Sequence, residues 1–248
     1  MKPALRLSAA LLLGAAAVQA APPAPSIAAA VADASRPVAD KARDADRKPA
    51  DMLAFAGVRP GMTVVDLMPG GGYFTRLFSV AVGPKGHVYG YIPAEVAARA
   101  PRMVDGIKAI AAEPGHGNVE AYVPAAGEEA PAGGADLVWT SQNYHDFHNA
   151  PNADLSAFNG AIFRALKPGG TYVVLDHAAK AGSGLANTKD LHRIDPATVR
   201  QEVEAAGFEF AGASKVLANA KDDHTLKVFD PALRGRTDQF VLKFRKPG

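Results

Sequence analysis

The chain has 248 residues, no cysteine, and a formal charge of +2 that results from 27 basic and 25 acidic residues. The absence of cysteine excludes disulfides, thiolate metal sites and a thiol nucleophile. Because Lys2 and Arg6 account for the charge excess, the chain beyond residue 20 is formally neutral. It therefore has no general attraction to nucleic acid or to an anionic membrane, and its length suits one sizeable α/β domain.

The first twenty residues have the pattern of a secretory signal peptide. Lys2 and Arg6 precede an apolar stretch from Leu7 to Val18, and small residues lead up to Ala20. We predict cleavage near Ala20 and export, with the periplasm as the location and no stable membrane anchor. An uncleaved membrane anchor is the alternative, although the apolar stretch is short for a transmembrane span.

The next part of the chain divides by composition. Residues 21–40 are rich in Ala and Pro and predict a loose linker, whereas residues 41–248 predict a single domain. The segment from Asp40 to Arg47 is dense in charge, which is typical of a solvated helical face.

From residue 49 onward, helical and strand patterns alternate. The predicted strands are 63–67, 87–91, 118–123, 135–140, 171–175, 213–217 and 239–244. The predicted helices are 49–55, 72–82, 93–112, 154–166 and 195–206, with a loop over 127–134. Such alternation indicates an α/β fold with a doubly wound, mainly parallel sheet.

The most informative stretch runs from Val64 to Thr75. Two β-branched residues lead into Asp66, and a glycine run at 70–72 follows before an aromatic pair. A buried strand that ends in an acidic residue and continues into a Gly-rich turn holds nucleotide-like cofactors at the carboxyl edge of a parallel sheet. Glycine suits this turn because it permits positive φ and close approach of the backbone to a ligand.

Three segments in chain order resemble the class I S-adenosylmethionine-dependent methyltransferases: Val64–Gly72, Ala135–Val138 and Leu166–Val174. The resemblance covers roughly residues 49–246. The Met-Pro-Gly-Gly-Gly-Tyr sequence together with a signal peptide resembles an exported group of predicted methyltransferases. The resemblance implies a Rossmann-like, seven-stranded sheet with an antiparallel last strand, and S-adenosylmethionine as the cofactor.

The resemblance also implies where the cofactor lies. It places the methionine and ribose part against Asp66, Gly70 and Gly72, and a carboxylate at Asp66 is suited to attract the cofactor's ammonium group. The full predicted set of cofactor-binding residues is Asp66, Pro69, Gly70, Gly71, Gly72, Tyr73, Glu95, Asn143 and Tyr144.

Three departures from the family pattern affect this pocket. Met68 stands where the first glycine of the turn is usual. The end of the second strand has no acidic residue for the ribose hydroxyls, and Glu95 is the nearest carboxylate. No acidic residue follows the third strand directly, so Glu128 or Glu129 would have to reach the adenine.

Five of the seven histidines lie in loops at the predicted carboxyl edge of the sheet, namely His145, His148, His177, His192 and His224. In one interpretation His145 or His177 is a general base that Asp146 or Asp176 orients. In a second, His145, His148, His177 and a nearby Asp bind a divalent metal. In a third, these are turn and capping residues. We adopt His145, Asp146 and His177 as the predicted catalytic residues and assign no metal ligand.

The sequence thus predicts an exported methyltransferase that acts on a small-molecule acceptor. Two alternatives remain open. One is a non-enzymatic module that binds a small ligand on a degenerate methyltransferase fold, and the other is a histidine- or metal-dependent enzyme on that fold.

Overall fold

The computed structural model describes residues 24–125 and 134–248, and this part of the chain contains seven strands and ten helices. The strands are Thr63–Leu67 (β1), His87–Tyr91 (β2), Val119–Tyr122 (β3), Ala135–Ser141 (β4), Leu166–His177 (β5), Glu209–Ser214 (β6) and Gln239–Arg245 (β7). The helices are Pro25–Ala32 (α1), Val38–Lys41 (α2), Asp44–Arg47 (α3), Pro49–Ala56 (α4), Tyr73–Val82 (α5), Ala94–Arg99 (α6), Pro101–Ala112 (α7), Tyr144–Phe147 (α8), Leu155–Ala165 (α9) and Pro196–Ala205 (α10).

All seven strands form one sheet in the order β3-β2-β1-β4-β5-β7-β6. Strands β1 to β5 are parallel to their neighbours within this group. Strand β7 is antiparallel to both β5 and β6. The topology confirms the predicted doubly wound, Rossmann-like sheet with an antiparallel last strand.

Hydrophobic cores cover both faces of the sheet. Neighbouring residues of a strand point to opposite faces, so Val64 belongs to one core and Val65 to the other. Helices α1, α4, α5 and α7 contribute to the first core, and α9 and α10 to the second. With both faces covered, the carboxyl edge of the parallel strands is the place where polar side chains can converge on a ligand.

The predicted linker over residues 21–40 is wrong for the part that the structure describes. Helix α1 places Ile27 and Ala30 in the core beside α5, and the two side chains are 2% and 0% exposed. Arg36 is buried and forms a bidentate ion pair with Asp44, which also accepts a hydrogen bond of 2.7 Å from the hydroxyl of Tyr73. Ile27, Ala30 and the partly buried Val31, which lie three and four positions apart, therefore form the buried side of a short helix.

Three predicted boundaries also differ from the structure. The single helix over 93–112 is two helices, because Pro101 lacks the N–H that a helix interior needs and the backbone of Ala100 is not helical. Strand β5 begins at Leu166, so the Lys-Pro-Gly-Gly turn forms an irregularity at the start of the strand. Strand β6 begins four residues earlier than predicted.

Some expectations lie outside the described residues. These are the signal peptide and its cleavage near Ala20, most of the predicted loop over 127–134, and the carboxylates Glu128 and Glu129. Among the described helices, none is long and apolar enough to cross a membrane.

Ile27→Ala tests whether the N-terminal segment is part of the folded domain. Because the Ile27 side chain is buried among the residues of the first core, we expect the free energy of unfolding to fall by about 2–4 kcal/mol in a denaturant titration. The control is Val38→Ala, since Val38 is 83% exposed and its loss should leave stability nearly unchanged. Equal and small effects of both substitutions would show that α1 is not packed on the domain.

Candidate functional site

A cavity of about 300 Å³ lies at the carboxyl ends of β1 and β4. Its walls come from the N-terminal segment, from the turn after β1 and from the residues that follow β4. The lining residues are Asp40, Arg43, Arg47, Asp66, Met68, Pro69, Gly70, Gly71, Tyr73, Phe74, Ser141, Gln142 and Asn143. This is the position at which open α/β sheets bind ligands.

The glycine turn between β1 and α5 forms one wall of the cavity. Met68, Gly70 and Gly72 all have positive φ values, of 55°, 57° and 78°. Gly72 does not line the cavity, but a Cβ at this position would collide with the side chain of Ile110. Met68 adopts this backbone conformation without being a glycine, and Asn143 fixes it by donating a hydrogen bond of 3.1 Å to the Met68 carbonyl.

Asp66 supplies a buried carboxylate to the cavity. Its side chain is 3% exposed and accepts a hydrogen bond of 2.7 Å from Thr75 Oγ1, on the first turn of α5. Burial raises the pKa of Asp66 to about 7, against the opposing influence of Thr75 and of the Arg47 charge. The carboxylate is therefore poised to ionise fully when a cationic group enters the cavity.

Arg47 supplies the opposite charge. Its guanidinium lies 4.5 Å from the ring centre of Tyr73 and 4.8 Å from that of Phe74, and it donates a hydrogen bond of 3.0 Å to Ser141 Oγ. Burial lowers the pKa of Arg47 to about 10, which still leaves the side chain charged at neutral pH. The cavity thus carries an anionic and a cationic group, a combination that suits a zwitterionic amino acid moiety.

The structure brings six of the nine predicted cofactor-binding residues to this cavity, namely Asp66, Pro69, Gly70, Gly71, Tyr73 and Asn143. Gly72 belongs to the same turn but faces the side chain of Ile110 instead of the cavity. The other two, Glu95 and Tyr144, lie elsewhere.

The prediction that Tyr144 reaches the ligand is wrong. Its side chain is fully buried in the second core, its hydroxyl donates to Glu202 at 2.9 Å, and it accepts from Asn159 at 2.8 Å. Glu95 is also misplaced, because it is exposed on the first turn of α6 and does not line the cavity. Asp40, from the N-terminal segment, is the carboxylate that the structure adds there.

A second polar cluster lies beyond the ends of β4 and β5. The carboxylate of Asp176, which is fully buried, accepts hydrogen bonds from the backbone N–H of His145 at 2.8 Å and pairs with His145 Nδ1 at 2.9 Å. On the other side of the ring, His145 Nε2 lies 3.3 Å from Asp146 Oδ1. His192 Nδ1 lies 3.5 Å from that same carboxylate oxygen.

His177 and His148 have different partners. His177 Nδ1 is 2.7 Å from Thr237 Oγ1, and its ring centre is 6.2 Å from that of His145. His148 pairs with Glu202 at 3.2 Å. The structure therefore does not place His148 and His177 with His145 as one set of metal ligands, contrary to that interpretation of the sequence.

The pKa values of the two predicted catalytic histidines are shifted in opposite directions. Burial lowers the pKa of His145, but the carboxylates of Asp176 and Asp146 outweigh burial and raise the pKa to about 10. Burial lowers the pKa of His177 to about 4. Neither pKa is near neutrality, which is where a general base is most efficient.

Sequence reasoning missed the contribution of the N-terminal segment. The charge density between Asp40 and Arg47 was the available signal, but a solvated helical face has the same composition. His192 was recognised as a residue of the carboxyl edge, yet nothing in the sequence links it to Asp146, which lies 46 positions earlier.

No protein-family model and no curated protein matches the sequence. A solved structure of a SAM dependent methyltransferase from Aquifex aeolicus is similar, with 19% identity, a TM-score of 0.58, and coverage of 83% of this chain and 95% of that chain. An arsenic(III) S-adenosylmethionine methyltransferase from Chlamydomonas reinhardtii has 19% identity and a TM-score of 0.54, covering 92% of this chain and 75% of its own. The chain has the class I methyltransferase fold.

The same fold supports other chemistry. The cyclase SpnF is similar at 18% identity and a TM-score of 0.54, covering 84% of this chain and 81% of that chain. Fold alone therefore does not decide the reaction, and the assignment depends on the residues of the site.

Asp66→Asn tests the electrostatic cost of the buried carboxylate. The folded-state pKa of Asp66 lies above that of an unfolded chain, so ionisation opposes folding and the wild type becomes more stable as the pH falls through about 7. We expect the variant to be more stable than the wild type by about 2–4 kcal/mol near pH 8, with the difference shrinking towards pH 5. Chemical denaturation over this pH range measures it, and a difference that does not change with pH would contradict the assignment.

Proposed function

We propose that the protein binds S-adenosylmethionine in the cavity at the end of β1 and transfers its methyl group to a small-molecule acceptor. The observation that carries the proposal is that Asp66 and Arg47 both line one cavity beside the glycine turn. The methionine part of this cofactor carries an ammonium and a carboxylate. Asp66 matches the ammonium and Arg47 the carboxylate, and each contact would be a charge-assisted hydrogen bond.

The residues available to the adenosine part of the cofactor differ from the family pattern. Strand β2 ends in Tyr91 without an acidic residue, so the ribose hydroxyls have no acceptor at that strand end. We assign this role to Asp40, the carboxylate other than Asp66 among the described lining residues. It lies 3.7 Å from Arg76, a residue of α5, so its position is tied to the same helix that follows the glycine turn.

Methyl transfer from a sulfonium places few demands on the protein, since the methyl group is already activated and catalysis consists mainly of alignment. His145, Asp146 and His177 stay predicted catalytic residues. In the metal-free protein the carboxylates of Asp176 and Asp146 raise the pKa of His145 to about 10, so its role in this proposal is to orient a polar acceptor rather than to remove its proton.

A ligand-binding module without methyl transfer is the second candidate. Arg47 lies against the rings of Tyr73 and Phe74 within the cavity, and the acceptor for the ribose is not at the usual strand end. Both features are compatible with a pocket that holds a smaller zwitterion than the whole cofactor.

Calorimetric titration with S-adenosylmethionine and S-adenosylhomocysteine tests the proposal. We expect micromolar binding by the wild type, and Asp66→Asn and Arg47→Ala should each weaken it by roughly 10- to 100-fold, because each removes one charge-assisted contact. Since Asp66→Asn is expected to be the more stable protein, its loss of affinity cannot result from unfolding.

Glu95→Gln is the matched control for Asp66, because Glu95 is an exposed carboxylate outside the cavity. This variant should bind like the wild type. Absence of heat with both compounds would overturn the cofactor assignment, and tighter binding by Arg47→Ala would show that Arg47 blocks the cavity instead of binding the cofactor carboxylate.

We also propose that the chain is exported to the periplasm, with a small molecule as its substrate. The basic start, the apolar stretch and the small residues up to Ala20 support export. Expression of the full chain in a bacterial host followed by mass spectrometry of the periplasmic fraction should find a protein that begins at Ala21. Recovery of the uncleaved chain in the cytoplasmic fraction would contradict export.

A further inference from the structure

Three potential metal ligands converge beside the end of β5, and two of them, His145 and Asp146, are also predicted catalytic residues. His145 Nε2, Asp146 Oδ1 and His192 Nδ1 all lie within 4.8 Å of one another. The distances from the shared carboxylate oxygen are 3.3 Å to His145 Nε2 and 3.5 Å to His192 Nδ1.

The two distances from Asp146 Oδ1 match the spacing of neighbouring ligands around a tetrahedral ion. Imidazole nitrogen and carboxylate oxygen bind Zn²⁺ at about 2.0–2.2 Å, which places neighbouring ligands of a tetrahedron about 3.3–3.6 Å apart. A site with two histidines and one carboxylate leaves a fourth position open for water or another oxygen ligand, as catalytic zinc sites do.

His145 has the environment of a metal-binding histidine. Its Nε2 is buried and forms no hydrogen bond within the described part of the chain. The residue as a whole is 2% exposed, so bulk water does not satisfy this nitrogen. Its other nitrogen, Nδ1, is held by the buried carboxylate of Asp176 at 2.9 Å. A carboxylate behind a ligating histidine fixes the ring and its tautomer, and this arrangement is characteristic of zinc sites.

The position of His192 is also fixed by buried neighbours. Its backbone is left-handed, with φ 57°, which is uncommon for a residue other than glycine. Arg193 follows with a fully buried side chain that pairs with Asp222 at 2.9 Å, and Ile194 donates its N–H to the His177 carbonyl. The loop is thus anchored directly after His192, and a strained backbone is retained where a side chain has to point into a site.

We propose that His145, Asp146 and His192 bind one divalent transition-metal ion of the zinc type, with one coordination position left open. The proposal does not depend on S-adenosylmethionine as the cofactor. The competing explanation of this cluster is an ion-pair network, in which a protonated His145 lies between Asp176 and Asp146 and no metal is bound.

Titration of the chelator-treated full chain with Zn²⁺ alone tests the site. The wild type should bind one equivalent, and His192→Ala should weaken binding at least tenfold, since the variant retains two of the three ligands. The matched control is His148→Ala, because His148 pairs with Glu202 outside the cluster, and its affinity should equal that of the wild type. Substituting His145 is avoided because it would leave Asp176 buried and unpaired.

Titration with Co²⁺ gives a second readout that a structural defect would not mimic. A tetrahedral cobalt site absorbs visible light strongly, and we expect this absorption in the wild type and His148→Ala but not in His192→Ala. No binding by the wild type, or equal losses in both variants, would overturn the proposal in favour of the ion-pair network. Asp66→Asn should bind Zn²⁺ like the wild type, so failure of the cofactor assignment and failure of the metal site are distinguishable.

Discussion

The carboxylate of Asp176 is the group on which the arrangement of the carboxyl edge depends. It is fully buried at the end of β5, and it accepts hydrogen bonds from the backbone N–H groups of His145 and His177 while it pairs with the ring of His145. A buried carboxylate is tolerated only when its oxygens are satisfied, so removing any one of these contacts would reduce the compensation of the buried charge and destabilise the fold. The end of β5 and the helix α8 that follows β4 are therefore held together by one group, and the direction of the His145 ring is fixed by the same bonds.

The proposed cofactor cavity depends on burial in a different way. Asp66 is held in a place where its charge is unfavourable until a cation arrives, and Arg47 is partly desolvated against two aromatic rings. Both groups reduce the stability of the empty protein and would gain from a zwitterionic ligand. The N-terminal segment that carries Arg47 is itself secured by the ion pair of Arg36 with Asp44 and by the hydrogen bond from Tyr73 to Asp44. One wall of the site thus comes from a segment that precedes residues 49–246, the part whose sequence motifs resemble the methyltransferases.

The parts that sequence analysis predicted correctly are those with local signals. Strand β1, the glycine turn and the start of α5 are specified by residues within about a dozen positions, and the alternation of strands and helices indicates the topology. The location of Arg47 and the distance between Asp146 and His192 result from tertiary packing, which leaves no periodic pattern in the sequence. Tyr144 shows this limit of sequence analysis most clearly. It directly follows Asn143, which lines the cavity, but helix α8 begins at Tyr144 and its side chain packs into the second core.

The short segment from Ser141 to Asp146 connects the two sites. Asn143 holds the carbonyl of Met68 at the glycine turn, and two residues later His145 is held by Asp176. Because both bonds start from the same turn of chain, a shift of α8 would move the backbone at Met68 and the ring of His145 together. A ligand that tightens the contact between Asn143 and the glycine turn would therefore also stabilise the position of His145 and Asp146 beside His192. This is the physical route by which occupancy of one site would affect the other, and it uses packed and hydrogen-bonded groups that are already in contact.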